Sequence, residues 1–84
     1  MKNCILTFRS VTPAQRAEEV LRRAGVYCSV QRTPKWMESK GCGYSLRIRM
    51  EDVSRTAAIL RRENVAMQRI YIQTGESLWE ELSL

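Results

Sequence analysis

The sequence predicts an α+β fold, and three observations support this prediction. Four short apolar segments have the two-residue alternation or the β-branched composition of strands. Two longer segments carry apolar residues at helical spacing, one after the first strand and one after the third. Glycine or asparagine follows each helical segment, where a chain reversal is expected. The order strand, helix, strand, strand, helix, strand follows from these patterns.

The first half of the chain contains a strand and a helix. Residues 3–8 are apolar and end at a polar step, which indicates a strand. The next segment predicts a helix start in which Thr12 is the N-cap, Pro13 takes the first helical position and Gln15 completes a capping box. Gly25 is expected to end the helix in a left-handed conformation.

The rest of the chain is predicted to contain three more strands and a second helix. Residues 26–32 alternate between apolar and polar side chains, residues 33–43 are rich in turn formers, and residues 44–50 alternate again. A helix is predicted from the acidic residues 51 and 52 to Asn64, followed by a last strand at residues 67–74. The two halves are similar in length and order.

This succession matches the ferredoxin-like βαββαβ arrangement, a four-stranded antiparallel sheet with two helices on one face. We assign the domain to residues 1–74 and a C-terminal acidic amphipathic tail to residues 75–84. The tail carries its apolar side chains in a way that fits about one and a half helical turns. We expect it to dock on the domain or on a partner.

The composition of the chain limits the classes of function that it can have. The 84 residues suffice for one small domain, and no segment is long and apolar enough for a signal peptide or a membrane span, so a cytoplasmic protein is expected. The chain has no histidine, which removes Ser-His and Cys-His pairs and histidine metal sites. These features favour a carrier or binding protein over an enzyme, without a cofactor or a metal.

The three cysteines differ in their surroundings. Cys4 and Cys28 fall inside apolar runs and are expected to be small core residues. Cys42 lies between Gly41 and Gly43, which leave a thiol accessible, although it also fits an incidental cysteine in a long hairpin turn. Lysine side chains nearby favour the thiolate form of Cys42.

The predicted topology brings positive charge to Cys42. The end of strand one, the start of helix one and the loop between strands two and three meet at one edge of the sheet, where a helix N-terminus stabilises anions. In the alternative, the Cys42 side chain faces an apolar neighbour such as Trp36. The residues expected to stabilise a thiolate or a bound anion are Arg9, Thr12, Arg32, Lys35 and Lys40.

A set of short segments spread over most of residues 3–73 forms a recognisable pattern: Thr7-Phe8, Ser10, Ala14, Ala17-Glu18, Leu21, Ala24-Gly25-Val26, Pro34-Lys35, Ser39 and Cys42-Gly43. In this pattern the chain resembles a family of small selenium/sulfur carrier-like domains, long described as a domain of unknown function. The resemblance implies a cytosolic protein whose Cys42 carries sulfur or selenium. The chain departs from the family pattern on both sides of the cysteine, at Lys40-Gly41 and Tyr44-Ser45, and in the added tail.

Three functions remain open at this stage. The first is a carrier whose Cys42 thiol accepts sulfur or selenium from a donor protein and passes it to an acceptor. The second is an interaction module, for example a homodimer formed through the wet sheet face or an acidic tail that crosses to a basic partner. The third is RNA binding on the face that would present Tyr27, Arg47, Arg49, Arg69 and Tyr71. The net charge of +5 suits an anionic partner, but the third strand lacks the aromatic residues of RNA-binding sheets, which disfavours nucleic acid.

Overall fold

Two helices and five strands make up the part of the chain that the structure describes. The computed structural model of the chain describes residues 3–33, 43–76 and 78–82. In chain order the elements are β1 (Asn3–Thr7), α1 (Val11–Arg23), β2 (Cys28–Arg32), β3 (Tyr44–Arg49), a 3₁₀ turn (Met50–Asp52), α2 (Val53–Arg62), β4 (Arg69–Gln73) and β5 (Trp79–Leu82). Neither helix has the length and apolar character needed to cross a membrane.

All strand pairs in the sheet are antiparallel, and the spatial order is β2-β3-β1-β4-β5. The most apolar strand, β1, lies at the centre, where Leu6 is opposite Leu46 on one side and Ile70 on the other. The predicted α+β class and the βαββαβ order are present. The predicted count of four strands is wrong, because the tail adds a fifth, so the ferredoxin-like prediction is confirmed only in part.

The tail pairs with β4 as a strand, and its helical interpretation is wrong. Trp79 lies opposite Gln73 and Glu81 opposite Tyr71, while the Thr74 amide donates to the Leu78 carbonyl at 2.8 Å. Side chains an odd number of positions apart in a strand point to opposite faces of the sheet. Trp79 accordingly contacts one face, and Leu82 packs against the main core on the other. The division of the chain at residue 74 stays a prediction.

The main core lies between one face of the sheet and the two helices. Side chains from β1, β3 and β4 interleave there with the apolar stripes of α1 and α2. Its fully or nearly buried members include Cys4, Leu6, Phe8, Ala14, Ala17, Leu21, Leu46, Ile48, Leu60 and Ile70. Both helices therefore pack on one face, as predicted.

The opposite face of the sheet is less exposed to solvent than the sequence predicts. Ile5 and Tyr71 form a small second cluster there, and Trp79 packs against it. Thr7 and Ser45 on the same face are buried as well. The alternation of residues 44–50 predicts that Ser45 lies on a solvent-exposed face of the sheet, and its burial shows that this expectation of exposure is wrong. Among the described residues its hydroxyl has no hydrogen-bond partner.

The two helices end in the same motif. Leu-Arg-Arg-x-x-Val occurs at residues 21–26 and again at residues 60–65. In the first copy Gly25 has φ 80°, its amide donates to the Arg22 carbonyl at 3.0 Å, and the Val26 amide donates to the Leu21 carbonyl at 2.9 Å. This is a Schellman ending, in which a left-handed residue lets the chain turn back over the last helical carbonyls.

The second copy reproduces this geometry without a glycine. Asn64 has φ 57°, and the Val65 amide donates to the Leu60 carbonyl at 2.9 Å. Asparagine is one of the few residues with a side chain that tolerate the left-handed region. Both predicted helix ends, at Gly25 and at Asn64, are therefore confirmed.

Each helix also supplies an arginine to the end of the other. Arg16 of α1 donates to the Glu63 carbonyl at 3.4 Å, at the end of α2. Arg55 of α2 donates to the Ala24 carbonyl, at the end of α1. Because the last carbonyls of a helix lack partners and carry partial negative charge, these reciprocal bonds help to hold the helix pair together.

We expect Gly25→Ala to lower the free energy of unfolding by about 1–2 kcal/mol, the cost of a left-handed conformation for a residue with a side chain. Space is not the cause, because an added Cβ would lie 3.9 Å from the nearest Arg55 atom, an ordinary contact. Urea unfolding followed by circular dichroism measures the change.

Gly75→Ala is the matched control. Its added Cβ would come within 3.3 Å of Leu78 Cδ1, the end of a flexible side chain that can move. A loss below about 0.5 kcal/mol is expected for it. Equal losses in the two variants would contradict the assigned backbone conformation at Gly25.

Candidate functional site

The candidate site lies at the loop between β2 and β3. Arg32 pairs with Tyr44 at the last described step of this hairpin, and the Thr33 amide donates to the Gly43 carbonyl at 2.8 Å. The predicted site residues Lys35, Lys40, Gly41 and Cys42 belong to residues 34–42, which lie outside the described residues.

Gly43, which follows Cys42, has a conformation that favours glycine. Its φ is 78°, in the left-handed region that residues with a side chain adopt at a cost of roughly 1–2 kcal/mol. Its carbonyl is fixed by the bond from Thr33. The chain therefore leaves the candidate segment at a defined backbone position, Gly43, and enters β3 at the next residue.

The described segments around this stem meet at one end of the sheet. Thr7 at the end of β1 lies opposite Ser45, the second residue of β3. Val11, the first residue of α1, lines a hollow together with Val30 of β2 and Tyr44 of β3. The end of β1, the start of α1 and the stem of the β2–β3 hairpin are therefore neighbours, as the topology predicts.

The start of α1 differs from its prediction. The N-cap is Ser10, with an extended backbone, and Thr12 lies inside the first turn, so the predicted capping box is wrong. Ser10 can take the cap position because its backbone is already extended before Val11. Its side chain makes no capping hydrogen bond. The partial positive charge of the helix start is still present at this end of the sheet.

Arg32 is the predicted cation that the structure ties to the stem. Its guanidinium carbon lies 5.6 Å from the centre of the Tyr44 ring, within the range of a cation–π contact. Arg9 and Thr12 are exposed near the start of α1. Arg32 thus brings positive charge to the residue two positions after Cys42.

The hollow at this end has a volume of about 440 Å³. Val11, Val30 and Tyr44 each expose 38–43% of their surface, and all three line it. Ala14, Gln15 and Glu18 of α1 form the rest of the wall. Exposed apolar surface of this kind is a setting in which a partner protein can dock.

The other two thiols are core groups, as predicted. Cys4 is completely buried and Cys28 is 6% exposed. Burial raises the pKa of the Cys4 thiol. Burial also raises the pKa of Cys28, the Glu18 carboxylate adds to this, and Arg22 opposes it. Both thiols are therefore held in the neutral form, which is a poor nucleophile.

The sheet face considered for RNA is largely occupied by contacts within the chain. Arg49 pairs with Asp52 at 3.0 Å and with Glu51 at 3.7 Å. Arg69 lies 4.0 Å from Glu81 of the tail strand and donates to the Tyr71 hydroxyl at 3.5 Å.

The aromatic residues of that face are also separated. Tyr71 is only 7% exposed and packs with Ile5 and Trp79, whereas Tyr27 is 72% exposed and precedes β2. Arg47 is exposed. The tail residues Trp79 and Glu81 contribute to this face and were missed from the sequence, because the three-residue spacing of Trp79 and Leu82 also fits one side of a helix.

A comparison with models of known protein families gives a match. The family model described as "Putative Se/S carrier protein-like" matches residues 3–72. This range runs from β1 to Ile72 in β4, includes the candidate loop and excludes β5. The chain belongs to this family of Se/S carrier-like proteins. No curated protein and no solved structure matches the chain at a significant level.

Proposed function

We propose that the chain is a carrier that accepts a sulfur or selenium atom on the Cys42 thiol and delivers it to an acceptor protein. The observation that carries the proposal is the burial of Cys4 and Cys28 in the core, with the pKa of each raised, inside a chain of the Se/S carrier-like family. Of the three cysteines, these two are unsuited to attack a donor. The remaining thiol, Cys42, lies within the family match.

The transfer requires only a thiolate and a donor. The Cys42 sulfur attacks the outer sulfur of a donor persulfide, the donor S–S bond breaks, and its electron pair leaves with the donor thiolate. The new S–S bond makes Cys42 a persulfide, so the transferred sulfur changes partner without an external oxidant or reductant. An acceptor thiolate removes the atom by the same step, and a perselenide follows the same course.

Positive charge at this end of the sheet stabilises the thiolate and the persulfide anion that take part in this transfer. The start of α1, with the exposed Arg9 and Thr12, and the Arg32 guanidinium at the hairpin stem support the role. Lys35 and Lys40 are proposed to add to it. The positive φ of Gly43 suits a tight return of the chain next to the thiol, and we propose the same freedom for Gly41.

The alternatives receive less support. RNA binding on the sheet face needs exposed stacking aromatics, yet Tyr71 is buried and Arg69 is paired with the tail. An interaction module is compatible with the carrier, because the hollow lined by Val11 and Val30 offers apolar surface to a donor or acceptor. A carrier must make such contacts in order to exchange its atom.

Alkylation of the native protein tests the proposal. With limiting iodoacetamide at neutral pH, we expect Cys42 to be labelled at least about tenfold faster than Cys4 or Cys28, because only thiolates react and both core pKa values lie above the ordinary value of 9.0. Peptide mapping by mass spectrometry gives the three rates. Raising the pH toward and beyond 9.0 should narrow the difference, since the core thiols ionise only there.

Labelling after urea unfolding is the control, because all three thiols then react at similar rates. Equal labelling in the native protein would contradict the carrier and leave an interaction module as the better description.

A further inference from the structure

A groove runs between α1 and α2, lined by residues at the end of α1 and along α2. Two adjoining hollows, of about 220 and 440 Å³, form it and share Ala24 and Arg62 in their walls. Arg23 of α1 lines the first hollow and Arg55 of α2 lines the second. The groove therefore has guanidinium groups from both helices in its walls, and the rest of its lining comes from the small or aliphatic residues Val20, Ala24, Ala58 and Ile59 and from Glu63.

The helix layer is more positive than the opposite face of the sheet. Residues 11–23 and 53–63 hold six arginines and three glutamates, a net charge of 6 − 3 = +3. On the opposite face of the sheet Arg49 pairs with Glu51 and Asp52, Arg69 lies near Glu81, and Arg47 is exposed. Outside the helix layer the described residues hold five arginines and five carboxylates, a net charge of 5 − 5 = 0, so the net positive charge of the described residues comes from the helices.

The arginines of the groove make two kinds of contact, a structural hydrogen bond and exposed ion pairs. Arg55 is engaged with the Ala24 carbonyl at the end of α1, which is a structural contact. Arg23 and Arg62 instead make ion pairs with Glu19 at 2.6 Å and with Glu63 at 3.6 Å. The two side chains are 77% and 70% exposed, and exposed ion pairs of this kind are weak enough to be exchanged for a stronger anion.

The lining of the groove distinguishes between classes of partner. Protein interfaces are centred on aromatic or large apolar anchors, but none of the exposed large apolar residues of the described chain lines either hollow. Nucleic-acid interfaces are more polar and more positive, and arginine binds phosphate through two parallel hydrogen bonds. The described lining also has no aromatic side chain on which a base could stack.

We propose that the groove between α1 and α2 binds the phosphate backbone of a nucleic acid through Arg23 and Arg62, without reading the base sequence. This site shares no lining residue with the hollow at the stem of the β2–β3 hairpin and lies apart from the sheet face. Contacts to phosphate alone give weak, salt-dependent binding with dissociation constants of about 10⁻⁴ to 10⁻⁶ M near physiological salt.

Fluorescence anisotropy with the full chain and a fluorescein-labelled DNA duplex tests this proposal at several salt concentrations. The wild-type chain should bind two duplexes of unrelated sequence equally. The double variant Arg23→Gln, Arg62→Gln should bind at least about tenfold more weakly at low salt. Its plot of log K against log salt should be shallower by about two, because each lost phosphate contact removes roughly 0.9 from the slope.

Arg47→Gln is the matched control, since Arg47 is an exposed arginine on the opposite face of the sheet. It should retain at least half of the wild-type affinity, and thermal melting should show both variants folded. The proposal is overturned if the wild type fails to bind at low salt or if Arg47→Gln loses as much affinity as the double variant. Displacement of the duplex by polyglutamate of equal charge would also overturn it, in favour of an acidic protein.

Discussion

Cys42→Ser should abolish the uptake of sulfur by this chain. After incubation with a persulfide donor, the wild-type protein is expected to gain about 32 Da, one sulfur atom, at Cys42, and dithiothreitol should remove it. The serine hydroxyl has nearly the same size as the thiol but is not ionised at neutral pH. The loss should therefore be complete rather than partial, and intact mass spectrometry followed by peptide mapping measures it.

The matched control for this result is Cys28→Ser. Cys28 is 6% exposed and its pKa is raised by burial, so its removal should leave the mass gain on Cys42 unchanged even if the fold is weakened. A mass gain that persists in Cys42→Ser, or one that maps to Cys4 or Cys28 in the wild type, would refute the carrier. Far-ultraviolet circular dichroism confirms that each variant is folded.

Leu46→Ala should produce a large loss of stability. Leu46 is completely buried in β3, between Leu6 of the central strand and Val30 of the edge strand, beneath the helices. Removing a buried leucine side chain loses its transfer free energy and leaves a cavity, at a cost of about 3 kcal/mol. In a domain of 84 residues this is a large part of the total stability, which is typically about 5–10 kcal/mol.

Leu78→Ala makes the same chemical change at an exposed position. Leu78 is 66% exposed just before β5, so its truncation should cost less than about 0.5 kcal/mol. Urea unfolding of both variants and the wild type, with slopes held comparable, gives the difference. Similar losses in the two variants would mean that the core does not lie where the sheet register places it.

The sequence predicted the elements whose signals are local and mutually consistent. The helical stripes of α1 and α2 correspond to the faces that are buried, and Leu46 and Ile48 of β3 lie in the core as their alternation predicts. Gly25 and Asn64 marked both helix ends correctly, because few other residues accept a left-handed conformation. The core positions of Cys4 and Cys28 also followed from their apolar neighbours.

Other features depended on choices that local sequence leaves open. Ser10 and Thr12 are both good N-cap residues, and the start of the helix is decided by where β1 releases the chain. The tail is so short that its apolar residues fit the two-residue period of a strand and the 3.6-residue period of a helix about equally. Its structure is therefore decided by hydrogen bonding to β4, which sequence patterns within the tail do not reveal. For the candidate site, sequence alone indicated the cysteine, whereas the pKa of a thiol depends on charges brought together by tertiary structure.

The tail strand also has a consequence for solubility. Without β5, the segment Arg-Ile-Tyr-Ile-Gln would form the outer rim of the sheet, a β-branched and aromatic strand with no carboxylate, and such rims recruit other chains. β5 places Glu80 and Glu81 there instead. Two molecules that approach through this rim therefore bring like charges together, so the short acidic addition keeps neighbouring copies apart at the border where the sheet would otherwise grow.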